Sequence, residues 1–245
     1  DKQPSARSGR VSLNLYKARQ SPLVARISEA MGEAILKANY AKAKEQTLET
    51  KTVATELMLS FNKESLVSSA SNVLGMIEGT DKKDEWVIIS AHYDHIGITN
   101  GKVNPGADDD GSGTVGVLEL AEAFAKAKAA GKGPRRNILF ILVSGEEKGL
   151  WGSEYYSNHP VYPLEKTSID LNIDMIGRKD DNIKSLDTNN HVYLIGDDKL
   201  SSDLPNMVDS INNLYIKIIT DRKYNDPKDP NRLYYRSDHY NFAAK

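Results

Sequence analysis

The stretch that decides the fold runs from Trp86 to Gly113 and reads WVIISAHYDHIGITNGKVNPGADDDGSG. Its apolar start, Trp86–Ile89, predicts a buried strand. That strand delivers His92 and Asp94 to its carboxyl end, and an irregular loop with three consecutive aspartates follows. An imidazole and several carboxylates are therefore expected together where a sheet ends.

His92 and Asp94 are two residues apart, and in an extended segment such residues point to the same side. They can therefore face one site together. The three aspartates that begin at position 108 repel one another unless they are solvated or balanced by cations, and a bound metal would balance them. Two structural alternatives stay open at this point. The first is a strand end with polar side chains, and the second is a solvated loop in which Asp110 or Ser112 caps the next helix.

Length and composition limit the function classes. A chain of 245 residues is long enough for one α/β domain with a short appendage. The net charge is -2 with the basic residues spread along the chain, so nucleic acid is not expected as a partner. No stretch approaches the ~20 apolar residues that span a bilayer, so no membrane span is expected. Cysteine is absent, so any metal must be held by His, Asp and Glu.

Two parts are expected along the chain. Residues 1–45 read as an N-terminal extension with a packing helix that begins at Ser21-Pro22. Residues 46–245 are expected to form the main domain. This domain begins with an antiparallel edge pair built from Thr47–Asn62 and Ser65–Glu78.

From residue 86 onward, strand patterns and helix patterns alternate. The predicted strands lie at 86–89, 137–143, 168–173, 191–195 and 216–220, and the predicted helices at 112–130, 149–157 and 199–214. Such alternation predicts an α/β fold with a mostly parallel central sheet, helices on both faces and antiparallel edge strands.

Three predicted strands end in acid or imidazole side chains. The first ends at His92, the second is followed by Glu146 and Glu147, and the third by Asp174. Ligands in open α/β sheets bind beyond the carboxyl ends of the strands, so these groups are expected at one edge. Taken alone, the glutamates favour a solvated pair that opens a helix, and Asp174 favours a buried cap. With the aspartate loop, however, they form a cluster so acidic that it needs cations.

The donor types indicate which metals fit. Oxygen and imidazole ligands without sulfur suit zinc, manganese or cobalt. A carboxylate that bridges two ions about 3.5–4 Å apart is typical of two-metal hydrolases. Of two adjacent glutamates, one can bind metal while the other takes a proton from the attacking water.

Five ordered motifs resemble the di-zinc aminopeptidase family, family 28 of the metallopeptidases: AHYDH, GADDDGSG, SGEEKGLWGSEYY, LNIDMIGR and RSDHYNF. A related deacylase and carboxypeptidase family has a different bridging motif, which resembles GxxDxKG. The resemblance implies a zinc-exopeptidase-like three-layer sandwich, with residues 46–245 as the zinc peptidase catalytic domain. It also implies that residues 1–45 are either the end of a protease-associated insert or an extension that is particular to this chain.

The resemblance implies two zinc ions and a ligand set for them. His92 and Asp174 look like ligands of one ion, and Glu147 looks like a ligand of the other. Asp109 looks like the carboxylate that bridges both ions. A cis peptide bond after Asp109 is also implied.

The remaining matched residues imply catalytic and supporting roles. Glu146 looks like the general base, and Asp94 like the carboxylate that orients the zinc-binding histidine. Asp238 and His239 match an SDH motif whose side chains line or support the site. The family's last zinc ligand is a histidine in a Tyr-His pair well downstream of that motif, whereas only six residues follow His239 here. The resemblance thus implies either a chain truncated at its C-terminus or loss of the second zinc. His95 is expected to point away from the site.

The function implied by the resemblance is that of a zinc exopeptidase, an aminopeptidase that removes N-terminal residues from peptide substrates. Water activated by metal would attack the scissile carbonyl, with Glu146 shuttling the proton. A secreted or periplasmic location is implied as well. Two alternatives stay open: a single-zinc enzyme similar to glutaminyl cyclases, and an inactive metal-binding scaffold or fragment.

Overall fold

The computed structural model describes residues 26–47, 56, 58, 60, 67–180 and 190–245. The chain divides into two units, residues 1–68 and Ser69–Lys245, and each is described by itself. The predicted helix start at Ser21-Pro22 and most of the predicted strand segment Thr47–Asn62 lie outside the described residues. The predicted domain boundary between residues 45 and 46 stays a prediction.

The first unit contains a short helical segment. Helix α1 (Glu29–Leu36) continues through a 3-10 turn at Lys37–Asn39 into helix α2 (Tyr40–Lys44). The Ser28 hydroxyl caps α1 by accepting a hydrogen bond from the backbone N–H of Met31 at 3.3 Å. The described helix thus begins at Glu29, directly after its cap, within the region for which the sequence predicts a helix.

The second unit alternates strands and helices in the predicted order. Its strands are β1 (Val73–Ile77), β2 (Lys82–His92), β3 (Ile98–Thr99), β4 (Lys102–Val103), β5 (Arg136–Val143), β6 (Thr167–Asn172), β7 (His191–Tyr193) and β8 (Ile219–Asp221). Its helices are α3 (Gly111–Ala129), α4 (Trp151–Asn158), α5 (Leu204–Tyr215) and α6 (His239–Ala243), with 3-10 turns at Glu146–Lys148, Leu164–Lys166, Lys223–Asn225 and Leu233–Tyr235. Among the described helices, none is long and apolar enough to cross a membrane.

The central sheet has the strand order β1-β5-β2-β6. Strand β2 runs parallel to both of its neighbours, β5 and β6, whereas β1 runs antiparallel along the outer side of β5. The mostly parallel sheet with an antiparallel edge strand is therefore confirmed. The edge strand hydrogen-bonds to β5, which follows it far along the chain, and this partner was not predicted.

Helices cover both faces of this sheet. On one face, Trp86 and Ile88 of β2 and Leu139 of β5 pack with Tyr156 of α4 and Phe242 of α6. On the other face, alternate residues of the same strands pack against α3, including Ile89, Ala91, Ile138, Phe140 and, from the helix, Val117. Because β2 and β5 are buried on both sides, their sequences are continuous apolar runs without polar alternation. The predicted layers are thus present.

Strands β7 and β8 form a separate two-stranded sheet. They pair in parallel, with His191 opposite Ile219, and α5 connects them as a crossover. The sequence pattern predicts both strands but places them with the central sheet. Each strand has only three residues, so local periodicity carries little information about which sheet they join.

Candidate metal centre

The side chains of the candidate site come from the ends of three neighbouring parallel strands. Strand β2 ends at His92, β5 is followed by a 3-10 turn that opens with Glu146, and β6 is followed by Asp174. His92 lies opposite Val143, the last residue of β5. Since parallel strands end at the same edge, the three predicted groups converge there, as expected from the sequence.

His92 is held in one orientation, and one of its ring nitrogens is left free. Its Nδ1 lies 3.0 Å from the backbone carbonyl oxygen of Asp94, and a carbonyl only accepts hydrogen bonds, so Nδ1 carries the proton. The side chain is 1% exposed, and among the described residues its Nε2 has no hydrogen-bond partner. The same Nε2 lies 3.2 Å from Asp109 Oδ1, 3.9 Å from Glu146 Oε2 and 4.0 Å from Asp174 Oδ1.

A buried ring nitrogen that faces carboxylate oxygens is stabilised by a positive charge, either a proton on the ring or a metal ion between the donors. Burial by itself lowers the pKa of His92, but the charges of Asp174 and Glu146 outweigh it and raise the pKa. The donor atoms of these three side chains all lie within 4.8 Å of one another. Imidazole and carboxylate ligands are those that zinc takes in catalytic sites, so this donor set fits zinc.

A second group of donors adjoins the first and includes a residue whose position the sequence analysis got wrong. His95 was expected to point away from the site, but its Nδ1 lies 2.8 Å from Glu147 Oε1 and 4.0 Å from Asp109 Oδ2. Donor atoms of His95, Asp109 and Glu147 also lie within 4.8 Å of one another. Strand β2 ends at His92, so the two-residue alternation used to orient its side chains does not extend to His95. The only sequence feature that could have indicated this position is that His95 belongs to the AHYDH motif, beside His92.

Asp109 lies between the two groups. One of its carboxylate oxygens faces His92 and the other faces His95. The peptide bond that follows it, Asp109–Asp110, is cis, as the family resemblance implied. With 36% of its side chain exposed, Asp109 is also the donor that is most accessible from outside among those of the two groups.

The third aspartate of the loop, Asp110, acts as a structural hub. Its side chain is buried and accepts hydrogen bonds from the backbone N–H groups of His92 (3.3 Å), Gly113 (2.9 Å) and Met175 (3.1 Å). It is thus the N-cap of α3, as one sequence-based alternative predicted. Burial raises the pKa of Asp110 to about 7, against the effect of the backbone donors. This carboxylate joins the end of β2, the first turn of α3 and the segment after β6.

Asp108 is turned in a different direction from its two neighbours. It accepts a hydrogen bond from the backbone N–H of Gly177 at 2.8 Å, and Arg178 Nε lies 3.4 Å from its other oxygen. The mutual repulsion expected for three adjacent aspartates is therefore relieved by separate partners. Only Asp109 faces the two donor groups.

Glu146 and Asp94 are linked through the backbone. The Asp94 carboxylate accepts a hydrogen bond from the Glu146 N–H at 3.1 Å, while its Oδ1 lies 3.8 Å from His92 Nδ1. Asp94 thus holds the turn that carries Glu146, and its backbone carbonyl rather than its carboxylate contacts the histidine ring. Burial raises the pKa of Glu146 to about 8, with the nearby carboxylates adding to the effect.

The SDH motif supports the site from the C-terminal end of the described chain. Ser237, which the sequence analysis did not single out, donates a hydrogen bond to Asp174 Oδ2 at 2.7 Å and accepts one from Asn172 at 2.8 Å. Asp238 is fully buried and accepts a hydrogen bond from Ser153; burial raises its pKa to about 6. Burial lowers the pKa of His239. In the part of the chain that the structure describes, neither Asp238 nor His239 belongs to a donor group.

Comparisons with known proteins agree with this geometry. A probable zinc metalloprotease of Pyricularia oryzae is 35% identical over 112 residues, which cover 44% of this chain and 21% of that protein. A vacuolar membrane protease of Tuber melanosporum is 33% identical over 104 residues, which cover 41% of this chain and 10% of that protein. The crystal structure of the LapA aminopeptidase of Legionella pneumophila superimposes with a TM-score of 0.51 and 26% identity, covering 71% of this chain and 41% of LapA.

This chain spans only a fraction of each of these proteins, about a tenth to a fifth of the two curated relatives. The sequence model of peptidase family M28 matches residues 72–245, which include both donor groups and the SDH motif. The chain therefore belongs to peptidase family M28.

Proposed function

We propose that this chain carries the active site of a zinc aminopeptidase that hydrolyses N-terminal residues from peptides. The observation that carries the proposal is the buried Nε2 of His92, which faces three carboxylates and, within the described residues, has no hydrogen-bond partner. Membership of peptidase family M28 and the names of the relatives, a zinc metalloprotease and an aminopeptidase, support the metal and the reaction class.

In this proposal the donor groups hold zinc in the way that the family resemblance implies. His92 and Asp174 would hold one ion, Glu147 would contribute to the other, and Asp109 would be shared between them. Zinc at this position would supply Lewis acidity toward water and toward the substrate carbonyl. Asp174 is kept in place by the hydrogen bond from Ser237, which leaves its other oxygen, Oδ1, directed toward His92.

Glu146 is proposed as the general base. Its pKa is raised toward neutrality by burial, so its carboxylate can take a proton from the attacking water and its carboxylic acid can return that proton to the leaving amine. The proton taken in the first step is thus delivered in the second, and Glu146 returns to its starting state. Asp94 fixes the backbone at Glu146 and so positions the base.

The proposal is tested by replacing Glu146 with Gln in the zinc-loaded protein. We expect hydrolysis of an aminoacyl chromogenic amide to fall by about 10²–10⁴-fold, since general-base catalysis contributes rate factors of that size. Bound zinc, measured by mass spectrometry of the metal, should not change. Glu154→Gln is the matched control, because Glu154 is exposed on α4, and it should keep full activity. Full turnover by Glu146→Gln would show that another group is the base.

The same measurements separate the alternatives. The proteins compared above are named as proteases or an aminopeptidase, so the comparisons give no support to a glutaminyl cyclase-like enzyme. An inactive scaffold would bind zinc without hydrolysing any aminoacyl amide. A secreted or periplasmic location also stays unsupported, since one relative is named a vacuolar membrane protease.

A further inference from the structure

A row of polar side chains leads from the middle of β6 toward the metal centre. Asp170 lies opposite Ile88 in the parallel pairing of β6 with β2, so its side chain is on the face of the sheet that α4 and α6 cover. The hydroxyl oxygen of Ser90, a fully buried residue of β2, lies 2.9 Å from Asp170 Oδ1 and 2.9 Å from Asn172 Oδ1. These three side chains lie outside both donor groups.

The direction of the hydrogen bonds in this row can be followed backward from Asp174. A carboxylate that binds metal only accepts, so the single hydroxyl proton of Ser237 is directed to Asp174 Oδ2 at 2.7 Å. The oxygen of Ser237 therefore accepts from Nδ2 of Asn172 at 2.8 Å. This contact fixes the amide of Asn172, whose Oδ1 is left to accept a hydrogen bond from Ser90.

Ser90 has one hydroxyl proton but two oxygen neighbours. When that proton is donated to Asn172, Asp170 Oδ1 faces a lone pair of the Ser90 hydroxyl at 2.9 Å. This contact is favourable only if Asp170 carries a proton of its own and donates it to Ser90. An ionised Asp170 would compete with Asn172 for the one proton, and one buried acceptor would lose its donor.

The surroundings of Asp170 favour the protonated form. Its Oδ2 is shielded from solvent and has no hydrogen-bond partner among the residues that the structure describes. Leaving such an atom unpaired costs less in a neutral acid than in a carboxylate. Burial raises the pKa of Asp170 to about 7; the charge of Asp238 adds to this effect, and the hydrogen bond with Ser90 opposes it.

We propose that Asp170 is a positioning residue for the zinc ligand Asp174, and that it acts as a neutral acid through the side chains of Ser90, Asn172 and Ser237. The inference rests on the proposed function, because it takes Asp174 as a zinc ligand. Each group donates to the next, from Asp170 to Asp174. Bonds in such a chain strengthen one another and hold each member in one orientation. Asp174 is thereby held by its Oδ2, and its Oδ1 stays available to the metal.

The first test is the zinc affinity of the full 245-residue chain, measured by competition with a chelator just below pH 7. Asp170→Ala should weaken the ion held by Asp174 by about 10-fold, the lower end of the range for partners of a ligand. Asp170→Asn should bind zinc like the wild type, because its amide can donate to Ser90 in place of the acid. Asp84→Ala is the matched control, because Asp84 is an exposed aspartate of β2. An unchanged affinity in Asp170→Ala, or an equal loss in Asp170→Asn, would overturn the proposal.

A double-mutant cycle separates positioning from a purely structural role. Ser237→Ala cuts the chain next to Asp174, so adding Asp170→Ala to it should cause no further loss of zinc affinity. A structural role of Asp170 would instead lower the urea midpoint of the zinc-free protein and would act equally in both backgrounds. Additive losses of zinc affinity would therefore refute the positioning role.

The acid form can be tested without any metal. The infrared difference spectrum between the zinc-free wild type and Asp170→Asn, recorded just below pH 7, should contain the C=O band of a protonated carboxyl group. Absence of this band would show that Asp170 is ionised and would overturn the proposal.

These results are distinguishable from failure of the proposed function. If Asp174→Asn leaves zinc binding unchanged, the proposed metal site fails, whatever the infrared spectrum shows. If Asp174→Asn weakens zinc binding but the double-mutant cycle is additive, only the role of Asp170 fails. If Glu146→Gln stays fully active while the cycle shows coupling, the base assignment fails and the positioning role stands.

Discussion

Replacement of Gly113 by alanine should destabilise the start of α3 and weaken zinc binding at the adjacent donor groups. Gly113 is buried in the first turn of α3, and its N–H donates to the hub carboxylate of Asp110. A Cβ at this position would lie 2.3 Å from the carbonyl oxygen of Ile173 and 2.5 Å from both carboxylate oxygens of Asp110. The first of these atoms belongs to the backbone immediately before Asp174, so no side-chain rotation can relieve the overlap.

The magnitude follows from three contributions. Overpacking against a rigid backbone costs ~1–3 kcal/mol, and weakening of the Asp110 cap costs about 1 kcal/mol more. The higher helix propensity of alanine offsets about 1 kcal/mol. We therefore expect a net loss of about 2 kcal/mol in the free energy of unfolding. A shift of roughly 1 Å between Asp109 and Asp174 should also weaken zinc binding markedly, because donor geometry must be kept to within about 0.5 Å.

Gly116→Ala in the same helix is the control. A Cβ at that position meets nothing closer than Ile176 Cδ1 at 3.5 Å, which is an ordinary contact. This variant should be more stable than the wild type by about 0.5–1 kcal/mol, because alanine favours the helix. Urea unfolding of the zinc-free proteins measures both effects, and zinc titration measures the coupling to the site. Equal stability of the two variants would refute the reasoning.

Three further predictions concern the site and its surroundings. Ser237→Ala removes the donor to Asp174 and should lower zinc affinity by about 10–100-fold while the urea midpoint of the zinc-free protein changes little; unchanged zinc affinity would contradict the positioning role. Asp170 is half-buried as a residue, but its Oδ2 is fully shielded, and burial raises its pKa from 3.8 to about 7. A carboxyl whose pKa is raised on folding adds stability at low pH that is lost as the pH rises, so the wild type should lose about 3 kcal/mol between pH 5 and 8 relative to Asp170→Asn. If the stabilities of the two proteins change with pH in the same way, the raised pKa of Asp170 does not contribute to the stability of the fold. Zinc at about 100 times its dissociation constant should stabilise the folded chain by about 2.7 kcal/mol per site, and a chelator should reverse this in a thermal unfolding experiment; a midpoint insensitive to zinc and chelator would argue against a metal centre.

The convergence of the site could be predicted because it follows from topology. Continuous apolar runs identify β2 and β5 as buried parallel strands, and parallel strands end at a common edge. The site side chains lie at or just after those strand ends, at His92, Glu146 and Asp174. Their proximity can therefore be predicted without knowing the loop conformations. Helix-cap preference offered Asp110 or Ser112 as the cap of the following helix, and the structure has Asp110 in that role.

The positions that sequence reasoning missed depend on irregular backbone or on distant partners. His95 lies beyond the end of β2, so the alternation of side chains along a strand does not predict where its ring points. Ser237 contacts Asp174 across 63 positions of the chain, and local patterns carry no such information. The cis bond after Asp109 was expected only from family resemblance, because composition and periodicity do not distinguish peptide isomers.

The hub at Asp110 has a consequence for local opening of the molecule. Its carboxylate accepts hydrogen bonds from the amides of His92 at the end of β2, Gly113 in the first turn of α3 and Met175 in the segment after β6. None of these amides can exchange its hydrogen with solvent without breaking a bond to the same side chain. We therefore expect the three amides to share one protection factor, close to that of the sheet interior, as a single cooperative unit. The edge of the sheet would then open as a whole or stay closed, with or without bound ions.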